Sequence, residues 1–325
     1  MLGFDSEGIH VTGHLVKVDY PIGRVSLALP PGGCGTRERT TVTAQKHTPR
    51  CRLAVNAGYF NVHTDACIGN VVSDGVVIQT VPLAESNVNF GIKDDKFAIG
   101  YFTPEELKGF RHLVSGVTWL VRDGKNYVER GWSEANITVQ TSGDKYVTNL
   151  ASRTAAGVDQ AGRLIIIQID GSIAVGDKKR GVNMYELADL LIDHGAVHAV
   201  NLDGGGSSAM AKDGALINYP SDSKPPSCDG SGDYQCERPV STILCIHESA
   251  GEYGSVTSSS SFSFLAWGIL IGGASCAVLA AVVFAVFRNQ PSNASHSYNK
   301  KKEYNGSDSD SSTAEEGFNK HALGG

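Results

Sequence analysis

The sequence predicts an α+β domain, a mixed β-sheet packed with a few helices, followed by one C-terminal transmembrane helix. Two continuous apolar runs, Leu164–Ile169 and Val197–Leu202, have the pattern of buried strands. Between them, Asn183–His194 places Met184, Leu187, Leu190 and Leu191 at helical spacing and closes on Gly195. A strand–helix–strand unit of this kind calls for a sheet with helices on it. The third observation is the run Phe264–Phe287, 24 residues without a charge. That is long enough to cross a bilayer core of roughly 30 Å as a helix.

Earlier in the chain, His14–Asp19 and Val25–Leu29 alternate as strands do, and Pro30-Pro31-Gly32-Gly33 turns the chain after them. Leu53 to Ile78 is strand-rich, broken by Gly58, Gly69 and Gly75. Thr103-Pro104-Glu105-Glu106 has the N-cap, the first-turn proline and the acidic third position of a helix start, which predicts a helix towards His112. Ser and Gly mark a linker over residues 249–263. The tail, residues 288–325, is polar and predicted to be disordered. The domain proper is therefore residues 1–248.

Arg288 and Lys300–Lys302 follow the apolar run, whereas Glu248 and Glu252 precede it. The positive-inside rule thus puts the tail in the cytosol and the domain in a lumen or outside. Gly268 and Gly272 stand at GxxxG spacing within the span, which leaves room for a homo-oligomer. Six of the seven cysteines (Cys34, Cys51, Cys67, Cys228, Cys236, Cys245) lie on the lumenal side, an even set that suits disulfides. Spacing alone leaves every pairing open. Asn136-Ile137-Thr138 is a glycosylation sequon. Met1-Leu2-Gly3-Phe4-Asp5 has neither the charged nor the apolar region of a signal peptide, so an incomplete N-terminus is expected.

Composition narrows the function. A charged fraction of 19 % and a net charge of −6 suit a globular protein and offer no basic stripe for nucleic acid. No CxxC or spaced histidine pair marks a metal site, and no cofactor is expected.

The most informative stretch is Asn201-Leu202-Asp203-Gly204-Gly205-Gly206-Ser207-Ser208, at the end of the second buried strand. Open sheets place ligands there, and three glycines let backbone N–H groups converge on an anion. A P-loop would need a lysine that is absent. Gly205-Gly206-Ser207-Ser208-Ala209 approaches a nucleophile elbow, but an elbow leads into a helix, and here Asp213-Gly214 marks a hairpin. The remaining reading is a phosphate cradle with Asp203 as its catalytic carboxylate. Arg153 precedes the first buried strand and has the fork to grip phosphate. Asp170 ends that strand as Asp203 ends the other, so two carboxylates share one end of the sheet. Glu186, on the Asn183 helix, is a third acidic candidate.

Five motifs occur in order: Asn56-Ala57-Gly58-Tyr59-Phe60, Gly69-Asn70-Val71-Val72-Ser73-Asp74, Ser115-Gly116-Val117-Thr118-Trp119-Leu120, Ser152-Arg153-Thr154-Ala155 and the Asn201–Ser207 loop. Together, over about His10 to Glu248, they resemble the uncovering-enzyme family of phosphodiester glycosidases. The resemblance implies hydrolysis of GlcNAc-α-1-phospho-6-mannose on the high-mannose glycans of lysosomal enzymes, which exposes mannose 6-phosphate. It also implies a type I protein of the trans-Golgi network, and the pairs Cys34–Cys67, Cys51–Cys245 and Cys228–Cys236. Where vertebrate relatives carry EGF-like material before the membrane, this chain has a Ser-rich linker. The family's signal and pro-segment are not seen, which bears on assembly and activation rather than on chemistry.

The leaving group of that reaction is a stabilised anion, so a strong general acid is not required. Cations and donors on the phosphate, and a carboxylate near the anomeric carbon, are what the site needs. Arg153 and the Gly204, Gly205, Gly206 and Ser207 amides suit the first role, with Ser208, Thr154 and Asn201 beside them. Asp203 or Asp170 suits the second, as base or nucleophile. Asn56, Tyr59, Asn70 and Asp74 lie in glycine-flanked loops suited to sugar. Two other readings are a non-catalytic membrane receptor for phosphorylated glycans and a glycosidase of another sugar phosphodiester.

Overall fold

The computed structural model describes residues 1–6, 9–135, 145–175, 178–221 and 237–248. The chain divides into two units, Met1–Ser258 and Ser259–Gly325, and the second lies outside the described residues. So do the linker, the predicted span Phe264–Phe287, the tail, Asn136, Cys228 and Cys236. Among the described residues no helix is long and apolar enough to cross a membrane.

Alternating apolar faces build the centre. Seven strands pair in the order Leu2–Ser6, Ile9–Val18, Leu164–Ile169, Arg153–Asp159, Ala196–Asn201, Trp119–Arg122 and Lys125–Asn126. Each neighbouring pair is antiparallel. The two buried strands run in the same direction, as a strand–helix–strand unit requires, but they do not pair. Arg153–Asp159 lies between them, antiparallel to both. Ile165, Ile167 and Ile169 face one side, against Met184, Leu187 and Leu191. Leu164 and Ile166 face the other, with Leu27, Val55, Phe90 and Leu244. Side chains alternate across a strand, so an unbroken apolar run is what a sheet covered on both faces demands. Truncating one of these isoleucines to alanine costs roughly 2–5 kcal/mol.

The helices are α1 (Thr40–Lys46), α2 (Val128–Glu134) and α3 (Met184–Asp193). The last is the predicted one. Asn183 and Glu186 form a full capping box at its start, and Gly195 follows its end at φ 90°. Sequence reasoning missed α1, because Thr-Thr-Val-Thr is a poor helix former. Tertiary contacts override that preference: Glu237 accepts from the Thr41 N–H at 2.9 Å and its hydroxyl at 2.8 Å, holding the first turn. The helix expected from Thr103 does not form. Its capping box does, with the Thr103 N–H donating to Glu106 Oε2 at 2.7 Å. Only turns follow, because Gly109 adopts φ 94° and Phe110–Ser115 is drawn into a sheet.

The second sheet orders Ala215–Leu216, Met210–Lys212, Leu53–Asn56, Ile243–Ile246 and Val25–Ala28. Its Lys212↔Ala215 hairpin turns on Asp213 (φ 54°) and Gly214 (φ 78°), as the Asp-Gly pair predicts. A third sheet of five strands runs from Val76–Gln79 at its edge to Lys96–Gly100. Disulfides join Cys34 to Cys67 and Cys51 to Cys245, as the family resemblance implied. A hydrogen bond from Leu202 N to the Thr154 carbonyl continues the central sheet, and one from Asp203 N to the Ala57 carbonyl joins that sheet to the second. Asp203 sits at that junction.

Candidate active site

Two strand ends converge on the Asp203 loop. The Asn56 side-chain amide donates to the Asp203 carbonyl at 2.6 Å, while its Oδ1 accepts from Thr154 Oγ1 at 2.8 Å and from Ala209 N at 3.1 Å. Asn56 and Thr154, both fully buried, therefore bolt the loop in place and are not available to sugar. Ser208 Oγ lies 3.3 Å from Thr154 Oγ1, whose proton is committed to Asn56, and Ser208 is fully buried, which removes it from the site.

The glycines serve a different purpose from the one expected of them. Gly204 N donates to Asp203 Oδ1, Gly205 N to the Ser152 carbonyl, Ser207 N to the Gly204 carbonyl and Ser208 N to the Gly205 carbonyl. Three of the four amides expected to hold phosphate, those of Gly204, Gly205 and Ser207, are thus engaged within the loop and its tight turn over Gly205–Ser207, and the Ser208 amide with them. Gly205 adopts φ 58°, and a Cβ on Gly204 would meet the Ser152 carbonyl oxygen at 2.9 Å. The glycines bend the chain so that Asp203 points into a cavity of about 340 Å³.

That cavity is lined by Tyr59, Phe60, Tyr146, Arg153, Asp203 and Ser207, with Gly204, Gly205 and Arg238 among the rest of its wall. Its volume is in the range of small-ligand sites. Burial pushes the Asp203 carboxyl up to about 6, against the Ser207 hydroxyl, the Arg238 charge and the Gly204 N–H, which favour the ionised form. A carboxylate so placed gains and loses its proton near neutral pH, as a general base requires.

Arg153 is 4 % exposed, and its guanidinium donates to three main-chain carbonyls: Val182 at 3.2 Å, Tyr146 at 3.0 Å and Asn149 at 2.8 Å. It also lies over the Tyr146 ring, 5.4 Å from its centroid. Among the described residues no carboxylate comes within 4 Å to neutralise it. A buried cation held only by carbonyls, on the wall of a cavity, is suited to an anion. Arg238 lies on the same wall and donates to Ser207 Oγ at 3.5 Å. Sequence reasoning missed Arg238; it stands beside Pro239 in an unpatterned stretch, and nothing local marks it.

Tyr59 and Tyr146 meet hydroxyl to hydroxyl, and Asn201 Nδ2 donates to both, at 2.6 Å and 3.0 Å. Tyr59 in turn donates to the Leu202 carbonyl at 3.0 Å. Burial raises the pKa of both tyrosines, so both stay protonated. Tyr59 therefore belongs to the cavity, whereas Asn201 supports it from below.

The other sequence candidates lie elsewhere. Asp170 ends its strand at the same sheet edge but faces away from the cavity. It accepts from Thr12 Oγ1 at 2.8 Å, Tyr219 N at 3.0 Å, Gln168 Nε2 at 3.2 Å and Asn218 Nδ2 at 3.4 Å. Four donors make it a structural tie. Glu186 is spent on capping α3. Asn70 is buried in the third sheet, where it accepts from Val81 N and donates towards Ser86 and Asn89. Asp74 occupies a turn at φ 51°, 3.8 Å from His112. Among the described residues one group has converging metal-ligand atoms, His47, Cys245 and His247. The Cys245 sulfur is bonded to Cys51, leaving two imidazoles, a poor donor set for a metal.

The family model described as phosphodiester glycosidase matches residues 49–247, which include every cavity residue named above. The chain belongs to the phosphodiester glycosidase family. Within this family it is 38 % identical over 251 residues to mouse N-acetylglucosamine-1-phosphodiester alpha-N-acetylglucosaminidase, covering 74 % of this chain and 47 % of that one. The human protein of the same name is 38 % identical over 247 residues, 73 % and 46 % of the two chains. The chain thus spans about half the length of the curated relatives it matches. The zebrafish catalytic domain of that name, solved auto-inhibited by pro-peptide, superposes with a TM-score of 0.65 at 36 % identity, over 76 % of this chain and 81 % of that one. A hypothetical protein from Synechocystis shares the fold alone, at TM-score 0.57 and 15 % identity.

Proposed function

We propose that this phosphodiester glycosidase hydrolyses GlcNAc-α-1-phospho-6-mannose and leaves mannose 6-phosphate on the glycan. The observation that carries this is Arg153, a buried cation with no carboxylate within 4 Å among the described residues, on the wall of the cavity that holds Asp203. Family membership and the names of the mouse and human relatives support the same substrate.

In this reading Arg153 and Arg238 hold the phosphate, and Asp203 takes the proton of the attacking water. Water oxygen bonds to the anomeric carbon as the bond from that carbon to the phosphate oxygen breaks. The electron pair leaves with the phosphate, whose growing charge the two arginines stabilise. Contacts of this kind are each worth roughly 10²–10³ in rate. Phe60 and Tyr59 supply apolar ring surface for the sugar.

The remaining features rest on the sequence and, for the compartment and the Cys228–Cys236 pair, on the family resemblance. Phe264–Phe287 spans the membrane once, with Arg288 and Lys300–Lys302 in the cytosol, and the domain works in the lumen of the trans-Golgi network. Asn136 carries a glycan, Cys228 pairs with Cys236, and the glycine spacing of the span supports a homo-oligomer.

The test follows release of free N-acetylglucosamine from the diester by the parent chain and by a folded Asp203→Asn variant. Turnover by the parent and its loss in the variant are expected. A parent that binds the diester but releases nothing would overturn hydrolysis in favour of a receptor.

A further inference from the structure

A second cavity, of about 990 Å³, opens at the end of the central sheet away from Asp203. The strand Arg153–Asp159 links the two. It begins on the wall of the Asp203 cavity and ends in the second one, roughly 20 Å along the strand. Three turns frame the opening: residues 19–24, the Lys93↔Lys96 hairpin and residues 159–163.

The frame is built without a ligand. Arg163 Nε donates to Asp159 Oδ2 at 2.6 Å and Nη1 lies 3.8 Å from Asp19 Oδ1, so one side chain ties two of the turns. Arg24 Nη1 donates to the Asp19 carbonyl at 3.2 Å and braces the first turn. Beside these ties Tyr20 stands 86 % exposed at φ 52°. A bulky residue is rare at positive φ, and strain of this kind collects where a binding site maintains it. Core packing, the usual reason to hold an aromatic ring in place, does not apply to so exposed a side chain.

We propose that this cleft binds a neutral mannose oligosaccharide, an unphosphorylated arm of the glycan whose diester end enters the Asp203 cavity. The inference rests on the hydrolase reading and deepens it.

Charge and polarity select that ligand. Asp159 and Arg163 neutralise each other, Arg163 also approaches Asp19, and Asp95 and Lys96 are chain neighbours of opposite sign. The lining therefore favours neither an anion nor a cation strongly. Ile22, Phe97 and Val197, all half-buried, give an apolar floor, while Gln160 and the charged rim supply donors and acceptors. A pyranose matches this surface, with apolar C–H faces that stack on a ring such as Tyr20 and hydroxyls around its edge. The volume lies near the upper end of small-ligand sites and has room for more than one sugar. Such a contact is weak by itself. Tethered through the glycan to a diester at Asp203, the arm is held at an effective concentration on the order of millimolar, provided the glycan spans the two sites.

The test uses the full chain and two diesters, GlcNAc-α-1-phospho-6-mannose alone and the same group on a free high-mannose glycan. The parent should show a KM at least about fivefold lower for the second. Tyr20→Gly removes the ring and suits the positive φ, so folding is spared. It should erase the gap while leaving kcat and the KM of the small diester unchanged, and Tyr20→Phe, which keeps the ring, should preserve the gap. A merely structural role would move both KM values together. Calorimetry with an unphosphorylated high-mannose glycan gives a readout without turnover: saturable binding by the parent and its loss in Tyr20→Gly are expected. Equal KM values in the parent, or a gap that survives in Tyr20→Gly, would overturn the tethered arm and leave the hydrolase reading intact. A gap that appears only when the glycan is carried on a protein would assign the cleft to polypeptide instead and overturn the proposal. If the parent hydrolyses neither diester, the hydrolase reading fails, and absence of glycan binding in the calorimeter would remove the cleft as a sugar site as well.

Discussion

The Asn56 side-chain amide holds the main-chain carbonyl of Asp203 at 2.6 Å, so a residue of the second sheet fixes a carboxylate carried by the central one. Three hydrogen bonds of one buried side chain meet at this point. Asn56→Ala should strand the Asp203 carbonyl, Thr154 Oγ1 and Ala209 N. A loss of about 2–4 kcal/mol in urea unfolding is expected. Activity should fall further than stability explains, because the Asp203 loop loses its anchor. A variant of parental stability and activity would show that the clamp is dispensable.

Asp203 is ionised against the preference of its surroundings, and the sign of that strain can be worked out. Its folded pKa, about 6, lies above the ordinary 3.8. The ionised carboxyl therefore weakens the fold, by nothing below about pH 4 and by the full amount above about pH 6. Asp203→Asn should abolish hydrolysis and yet raise stability at pH 7 by on the order of 1–3 kcal/mol, read as a higher Tm. At pH 4 the two proteins should melt together. A lower Tm for the variant at pH 7 would contradict the burial of this carboxyl.

Arg153 is held by a fork that lysine cannot copy. Its Nε and Nη2 reach three carbonyls at once. Arg153→Lys keeps the charge but loses that geometry, and KM for the diester should rise at least about tenfold. An unchanged KM would place the phosphate on Arg238 alone.

Three histidines set an acid limit on the domain. Ser26 Oγ lies 2.9 Å from His247 Nε2 and 3.3 Å from His47 Nε2, and Asp74 and His112 are their neighbours. Burial lowers the pKa of all three, that of His112 to about 4, and their mutual repulsion adds to it at His112 and His247. Unfolding frees them to take protons at the ordinary 6.5, so stability should be lost as pH falls from about 6.5 to about 4. A thermal melt series across that range checks this, and His112→Gln should flatten the slope. An unchanged slope in that variant would locate the acid sensitivity elsewhere.

Much of the fold was legible because its signals are local. The run Leu164–Ile169 marks a strand covered on both faces, Asn183 and Glu186 mark a helix start, and Asp213-Gly214 marks a hairpin. Where outcome depended on distant partners, the same signals failed. The capping box of Thr103 and Glu106 forms without a helix, and α1 forms without helix propensity because Glu237, far along the chain, holds it. The site divides in the same way. Asp203, Ser207 and Tyr59 were visible as chemistry-bearing residues beside glycines, and Arg153 as a cation ahead of a buried strand, and the structure brings them to one cavity. Asp170 looked equivalent to Asp203 because both end a buried strand; only the donors Thr12, Asn218 and Tyr219 distinguish them. Arg238 could not be found in one dimension, since only the fold brings it to the cavity wall beside Ser207 and Asp203.

The strand Ile243–Ile246 sits between Leu53–Asn56 and Val25–Ala28, and Cys245 closes its bond to Cys51 there. During synthesis from the N-terminus, those two strands emerge early and wait for a partner made almost two hundred residues later. Until residue 246 leaves the ribosome they expose open edges towards each other, and the Asp203 junction above them has no floor. The second sheet is therefore incomplete until nearly the whole domain has been made, and Arg238, on the cavity wall, is among the last residues to join it.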